Sequence, residues 1–212
     1  YVFVRSGGSW SQQAKLTAAD AAAFDNLGFS VAVDTDTALV GSIFDDHAGG
    51  SNAGSAYVFF RAGGAWRQQA KLTALDAAAS DTFGRSGAVA SDMAVIGANQ
   101  DDHAGGSNAG SAYVFIRFGT VWTQQAKLTA VDAAASDHFG AAAVLDGRTV
   151  VIGAVNDDLP GGADAGSSHV FLVDCLVDPS IPTASGWGIV ILSLATLVVG
   201  TVLIRTRRPV VR

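Results

Sequence analysis

Paired carboxylates followed by an imidazole stand at two places in the chain, Asp45-Asp46-His47 and Asp101-Asp102-His103. A third pair, Asp157-Asp158, continues the series but is followed by Leu159. Asn52 and Asn108 lie a few residues after the first two groups, in the shared run D-D-H-A-G-G-S-N-A-G. Carboxylates and amides in such a loop could accept hydrogen bonds from a partner protein or a glycan, or hold a cation loosely. The same residue types also close turns by bonding their own backbone. A metal reading needs a histidine in every group, and Leu159 breaks that pattern, so no metal ligand is assigned. No H-E-x-x-H, G-x-S-x-G, phosphate loop, C-x-x-C or EF-hand loop occurs, and the glycine-rich stretch opens no helix. Near-identical units also offer no site with differentiated roles. No catalytic residue is expected, and the chain is read as a non-enzyme.

The elements that must position these residues repeat every 56 positions. Tyr1, Tyr57 and Tyr113 are 56 apart, as are Trp10, Trp66 and Trp122, each opening W-x-Q-Q-A-K-L-T. Gly28, Gly84 and Gly140 keep the step, and so do Gly41, Gly97 and Gly153. Four short strands are predicted per unit, from AYVFFR (Ala56–Arg61), WRQQAKLT (Trp66–Thr73), which alternates polar and apolar as a half-exposed strand does, FGRSGAVAS (Phe83–Ser91) and MAVIGA (Met93–Ala98). An antiparallel meander of four strands repeated at this spacing is the pattern of a β-propeller blade, whose sheet needs neighbours to cover its faces. The fold class expected is all-β, a partial β-propeller of four-stranded antiparallel blades with one C-terminal transmembrane helix. Two complete blades are expected at about 24–73 and 80–129, with two strands before them and a three-stranded sheet at about 136–174. Alternating connections bring the two long polar loops of each unit to one face. That face would carry Asp20, Asp25, Asp45, Asp46, His47, Asn52 and their equivalents. The repeated Trp and Tyr read as strand packing, and the Gln pair and Lys of each W-x-Q-Q-A-K-L-T as facing solvent or pairing between blades.

All 19 acidic residues are Asp, and Pro contributes only 4. Asp favours turns where Glu favours helix interiors, which agrees with strands and loops. A net charge of −6 excludes nucleic-acid binding through a general basic surface. The charge is uneven: residues 1–185 hold all 19 Asp against nine Lys or Arg, whereas residues 186–212 hold four Arg and no acid. The single Cys175 excludes an intrachain disulfide. Tyr1 lies inside an apolar run with no initiating Met, which predicts further chain upstream.

Phe83-Gly84 followed by V-I-G-A (Val95–Ala98), and Phe139-Gly140 followed by V-I-G-A (Val151–Ala154), resemble FG-GAP repeats, the blades of integrin-α-type propellers. The units are similar to a bacterial subgroup reading Q-A-K-L-T, F-G, then G-S-A-Y-V-F, over about residues 1–174. Leu27 replaces Phe in the first unit. The resemblance implies a ligand-binding loop face. It also implies a calcium loop, D-x-D-x-D-G, in the hairpin after the Phe-Gly strand. Those hairpins here, Asp34-Thr35-Asp36, Ser91-Asp92 and Asp146-Gly147-Arg148, are too short and ligand-poor for calcium, so no cofactor is expected.

From Trp187 to Ile204 the chain carries no charge, and eighteen helical residues span about 27 Å, enough for a hydrocarbon core. Arg205, Arg207 and Arg208 follow as a membrane stop and place the C-terminus in the cytoplasm, with the propeller outside. Just before the span, Ile181, Pro182 and Thr183, with Trp187 and Gly188, resemble the I-P-T-L-x-x-W-G motif of PEP-CTERM-like sorting tails, with Ala184 for Leu. That resemblance implies processing by an exosortase-like enzyme. The domains expected are blades at 1–174, a linker at 175–186, a membrane helix at 187–204 and a basic tail at 205–212. The function expected is a cell-surface, membrane-anchored binding or adhesion module for an unidentified protein or glycan. A purely structural envelope component, or the non-catalytic part of a larger hydrolase-like enzyme, are the alternatives.

Overall fold

The computed structural model describes residues 1–160 and 162–173. Among the described residues, thirteen strands form four antiparallel sheets in which neighbours in sequence are neighbours in space. β1 (Val2–Ser6) and β2 (Ser9–Ala14) pair alone. β3 (Leu27–Asp34), β4 (Thr37–Ser42), β5 (Ser55–Ala62) and β6 (Ala65–Leu72) form the first complete sheet. β7 (Ser86–Ala90), β8 (Met93–Ala98), β9 (Ser111–Phe118) and β10 (Val121–Leu128) form the second. β11 (Phe139–Asp146), β12 (Thr149–Ala154) and β13 (Ser167–Leu172) form a three-stranded third. The all-β class and the four-stranded antiparallel meander match the expectation. The linker at 175–186, the span at 187–204 with its sorting motif, and the basic tail lie outside the described residues. Among those described, no helix is long and apolar enough to cross a membrane.

Apolar side chains from both faces of the two four-stranded sheets, and from one face of the three-stranded sheet, make the core. Leu39, Val58 and Leu72 of the first complete sheet pack with Val89, Ile96 and Phe115 of the second. Met93, Val95, Val114 and Ile116 of the second meet Phe139, Val150 and Ile152 of the third. Mutual cover explains the outer faces as well. Val58 and Val114 are fully buried, but Val170, at the same place in the third sheet, is 61% exposed because no described sheet follows it.

Two local features differ from the sequence expectation. The Phe-Gly segment of the second sheet enters its strand at Ser86 rather than Phe83. Its first residues are taken by the loop of the previous sheet, where Phe83 N donates to Ala53 O at 2.9 Å and Gly54 bridges Phe83 in parallel. The W-x-Q-Q-A-K-L-T strands do not alternate cleanly either. Each carries a bulge in its Gln pair: the ladder steps from Gln12 to Ala14, from Gln68 to Ala70 and from Gln124 to Ala126. The skipped residue is re-aimed toward the next sheet, as bulges commonly do. Trp66 Nε1 donates to Gln13 Oε1 at 2.9 Å, and Trp122 Nε1 to Gln69 Oε1 at 2.8 Å. The other Gln turns to a loop, where Gln68 and Gln124 accept from the backbone N–H of Ala19 and Leu75.

Candidate functional site

The two long loops of each unit do reach one face, and main-chain bonds knit them together. Ser80 N donates to Ser51 O and Thr82 N to Asn52 O; one repeat later Ser136 N donates to Ser107 O and His138 N to Asn108 O. The D-D-H loop of one sheet is thereby fixed to the Asp/Ala/Ser loop that leads into the next.

The ten expected site residues separate into three kinds. Asp46, Asp102 and Asp158 are exposed, and each spends one carboxylate oxygen, Oδ1, on a backbone N–H six residues on, all at 2.7 Å. Asn52 and Asn108 are those donors in the first two units, held at φ 53° and 52°, a left-handed conformation that Asn tolerates. His47 and His103, half-buried, brace their loops. Gly49 N donates to His47 Nδ1 at 3.0 Å, so the ring's proton sits on Nε2, which donates to Gly54 O at 3.0 Å. His103 repeats this with Gly105 and Gly110. Both ring nitrogens are therefore occupied by backbone.

Asp45, Asp101 and Asp157 are buried at 3%, 2% and 6% exposure, so they lie beneath the face rather than on it. Asp45 accepts from Ser55 Oγ at 2.6 Å and Tyr57 OH at 3.0 Å, and its Oδ2 lies 2.8 Å from Lys71 Nζ. The same ammonium reaches Asp20 Oδ2 at 2.6 Å. Asp101 repeats the cluster with Ser111, Tyr113, Lys127 and Asp76. Burial by itself would lower the Lys71 and Lys127 pKa, but hydrogen bonds to the two carboxylates in each cluster override it and raise both. Burial and the adjoining carboxylates push the Tyr113 phenol well above the ordinary tyrosine range. A fixed ammonium between two carboxylates beside a protonated phenol is a structural cross-brace, not a proton-transfer site.

The sequence expectation for the lysines, facing solvent or pairing between blades, does not include this brace. The repeat itself holds the missed signal: Asp, Tyr and Lys recur together in two units, and the third unit has His169 for Tyr and Thr183 at the lysine step. The loops also expose aliphatic side chains that the repeat pattern does not single out. Leu75 is 84% exposed and Val131 88%, each preceding an exposed acid, Asp76 or Asp132.

Three segments match the FG-GAP repeat: residues 10–59, 66–115 and 122–171. The chain belongs to the FG-GAP repeat family. No curated protein matches it. Each matched FG-GAP segment runs from a fourth strand through the third strand of the following sheet, so one repeat straddles two blades. The residues that give FG-GAP its name have separate duties here. Phe83 and Phe139 are fully buried, packing on Tyr113 at 5.5 Å and His169 at 5.4 Å between ring centres. Gly84 and Gly140, at φ 95° and 91°, bring their carbonyls against Gly41 and Gly97 of the previous sheet, where a Cβ would collide with them. Leu27 fills the Phe position in the first unit, in a smaller cluster with Tyr57 and Phe59.

The residues of the FG-GAP hairpins do not fit a calcium loop. Asp36 and Asp92 instead accept from Arg61 Nε at 2.6 Å and Arg117 Nε at 2.8 Å, and Asp34 from Ser91 N at 2.6 Å. Too few oxygens remain in one hairpin for the six to eight that calcium takes.

Proposed function

We propose that this chain is a surface-displayed recognition module that binds a protein or glycan partner through its loop face. The observation that carries the reading is the periodic face itself. Two successive loop pairs are locked by the same main-chain bonds, and the loops expose Asp46, Asp102 and Asp158 together with the aliphatic side chains of Leu75 and Val131. A rigid array of this kind loses little conformational freedom on binding, and mixed acidic and aliphatic contacts suit a partner carrying basic and apolar groups. Membership of the FG-GAP family supports an extracytoplasmic binding role. The uncharged run at 187–204 and the arginines after it support a membrane anchor, and the I-P-T-type motif supports delivery by a sorting enzyme.

The test compares the full chain with an Asp46→Asn/Asp102→Asn/Asp158→Asn variant and a Leu75→Ser/Val131→Ser variant on glycan and extracellular-protein arrays. Asn keeps the Oδ1 acceptor that closes each loop, so thermal unfolding should be unchanged while array binding falls at least about tenfold. Binding that survives both sets of changes places the contact elsewhere. A chain that binds nothing on either array, yet still reaches the cell surface, supports a structural envelope role instead.

A further inference from the structure

His47 and His103 close their loops with a single ring proton each. Gly49 N–H points at His47 Nδ1, which must be bare to accept it, and Nε2–H points at Gly54 O. A second proton, on Nδ1, would set donor against donor across the 3.0 Å that separates this nitrogen from Gly49 N. His103 is held in the same way between Gly105 N and Gly110 O. Imidazole ordinarily gains its second proton between about pH 8 and pH 5.

The segment that each ring holds is tied to the next sheet. Gly50 N donates to His47 O at 2.9 Å, and the two residues that follow, Ser51 and Asn52, accept from Ser80 N at 2.9 Å and Thr82 N at 3.3 Å. The fit leaves no slack: a Cβ at Gly49 would strike Ala77 and the His47 ring, and one at Gly50 would strike Ala79. The second loop repeats this with Gly105 and Gly106 against Ala133 and Ala135, and with Ser107 and Asn108 accepting from Ser136 N and His138 N. Charged groups near the His47 ring come from two loops. Its own carries Asp45, paired with Lys71, and Asp46, whose Oδ1 is taken by Asn52 N; the adjoining one carries Asp76 and Asp81. Around His103 the counterparts are Asp101 with Lys127, Asp102, Asp132 and Asp137. The third loop has no such ring. Leu159 stands at the histidine position, Pro160 follows with its fixed φ, and Leu159 and Gly162 exchange main-chain bonds at 3.0 and 2.9 Å.

We propose that His47 and His103 are acid-released latches of the loop face. A second ring proton, taken from solvent, expels the Gly49 or Gly105 N–H and slackens the main-chain bonds that tie each loop to the next sheet, while the third loop stays closed. In acid a partner is then let go from the first two loops. That consequence rests on the proposed recognition role; the latch itself stands on the loop geometry alone.

The test follows rings and amides of the full chain in detergent by ¹⁵N NMR from pH 8 to pH 5, with exchange protection corrected for the intrinsic rate at each pH. Both rings should show the Nε2–H form at pH 8. As each gains its second proton, protection of the Gly49, Ser80 and Thr82 amides, and of Gly105, Ser136 and His138, should fall about fivefold, the worth of one hydrogen bond. The Asp164 amide, bonded to Asp158 in the third loop, should keep its protection. A His47→Asn/His103→Asn chain retains a side-chain acceptor for Gly49 and Gly105 but takes up no proton, so its loops should stay closed at pH 5. A His47→Leu/His103→Leu chain, with the third loop's residue, should show lowered Gly49 and Gly105 protection at every pH and no step. The proposal is overturned by rings that stay neutral to pH 5, by loops that keep their protection once both rings are charged, by a step that persists in the Asn or Leu chain, or by an equal step at Asp164. No partner enters these measurements, so failure of the latch and failure of array binding are told apart.

Discussion

Replacing Lys127 with Met removes one ammonium while keeping most of the aliphatic stem, and the structure sets the size of the loss. The two ion pairs of Lys127 are unequal. Asp76 has a side chain 48% exposed, so its 2.7 Å contact contributes about 0–1 kcal/mol. The Asp101 side chain is 3% exposed, and stripping the cation from a buried carboxylate costs about 3–5 kcal/mol. Ser111 and Tyr113 remain as donors to Asp101, and the lysine side chain is itself 25% exposed, so the lower end applies, about 3 kcal/mol. Urea denaturation is the suitable assay, because guanidinium would screen the charges being measured. Amide exchange in β8 and β9 localises the loss in an array whose sheets can open separately. Adding Asp101→Asn should recover most of the loss, since the buried charge then disappears with its partner. Lys15→Met is the control; Lys15 has no carboxylate partner among the described residues and lies 5.7 Å from the Tyr1 ring centre. The folded-state pKa of Lys127 is raised, so its contribution is complete below the ordinary lysine value and fades as pH climbs through the raised one. A Lys127→Met chain within about 0.5 kcal/mol of the Lys15→Met chain would refute the cross-brace.

Burial pushes the Asp81 carboxyl up to about 6, against a bond from Ala78 N that favours its charged form. The folded chain then binds the extra proton, so stability falls as pH rises from about 4 to 6, by at most about 3 kcal/mol. Asp81→Asn should gain on the parent across that window in urea titrations and stay level above it; a constant difference would defeat the argument. Gly97→Ala should lower Tm sharply, at about 1–3 kcal/mol or more, because the new Cβ meets the Gly140 carbonyl and the Ser86 hydroxyl. Gly153→Ala, whose nearest neighbour is the Ala142 Cβ at 3.5 Å, should be tolerated, and equal Tm losses in the two variants would contradict the close-packed sheet contact. Deleting residues 187–204 should move the chain from the membrane fraction of cells to a released fraction; no change in fractionation would remove the anchor from the proposed function.

Much of the fold was legible because its causes are local or periodic. The 56-residue step set the sheets, and runs such as MAVIGA gave β8 its bounds, since a strand with both faces covered reads as a continuous apolar run. The candidate face was only half legible. Asp45 and Asp46 are neighbours of the same type, yet one is buried against Ser55, Tyr57 and Lys71 and the other exposed in a turn. Nothing in the pair itself separates them. The Gln pair likewise looked like plain alternation, and only the bulge sends one Gln to the next sheet and the other to a loop.

Sequence alone determined the four-stranded unit, its phase and the two loops that share an end, because backbone pairing and turn chemistry depend on residues close along the chain. Tertiary structure decided which carboxylates are spent inside and which remain outside. That outcome turns on the approach of Lys71 to Asp20 and Asp45, 51 and 26 positions away, and on whether a next sheet is present to cover the last.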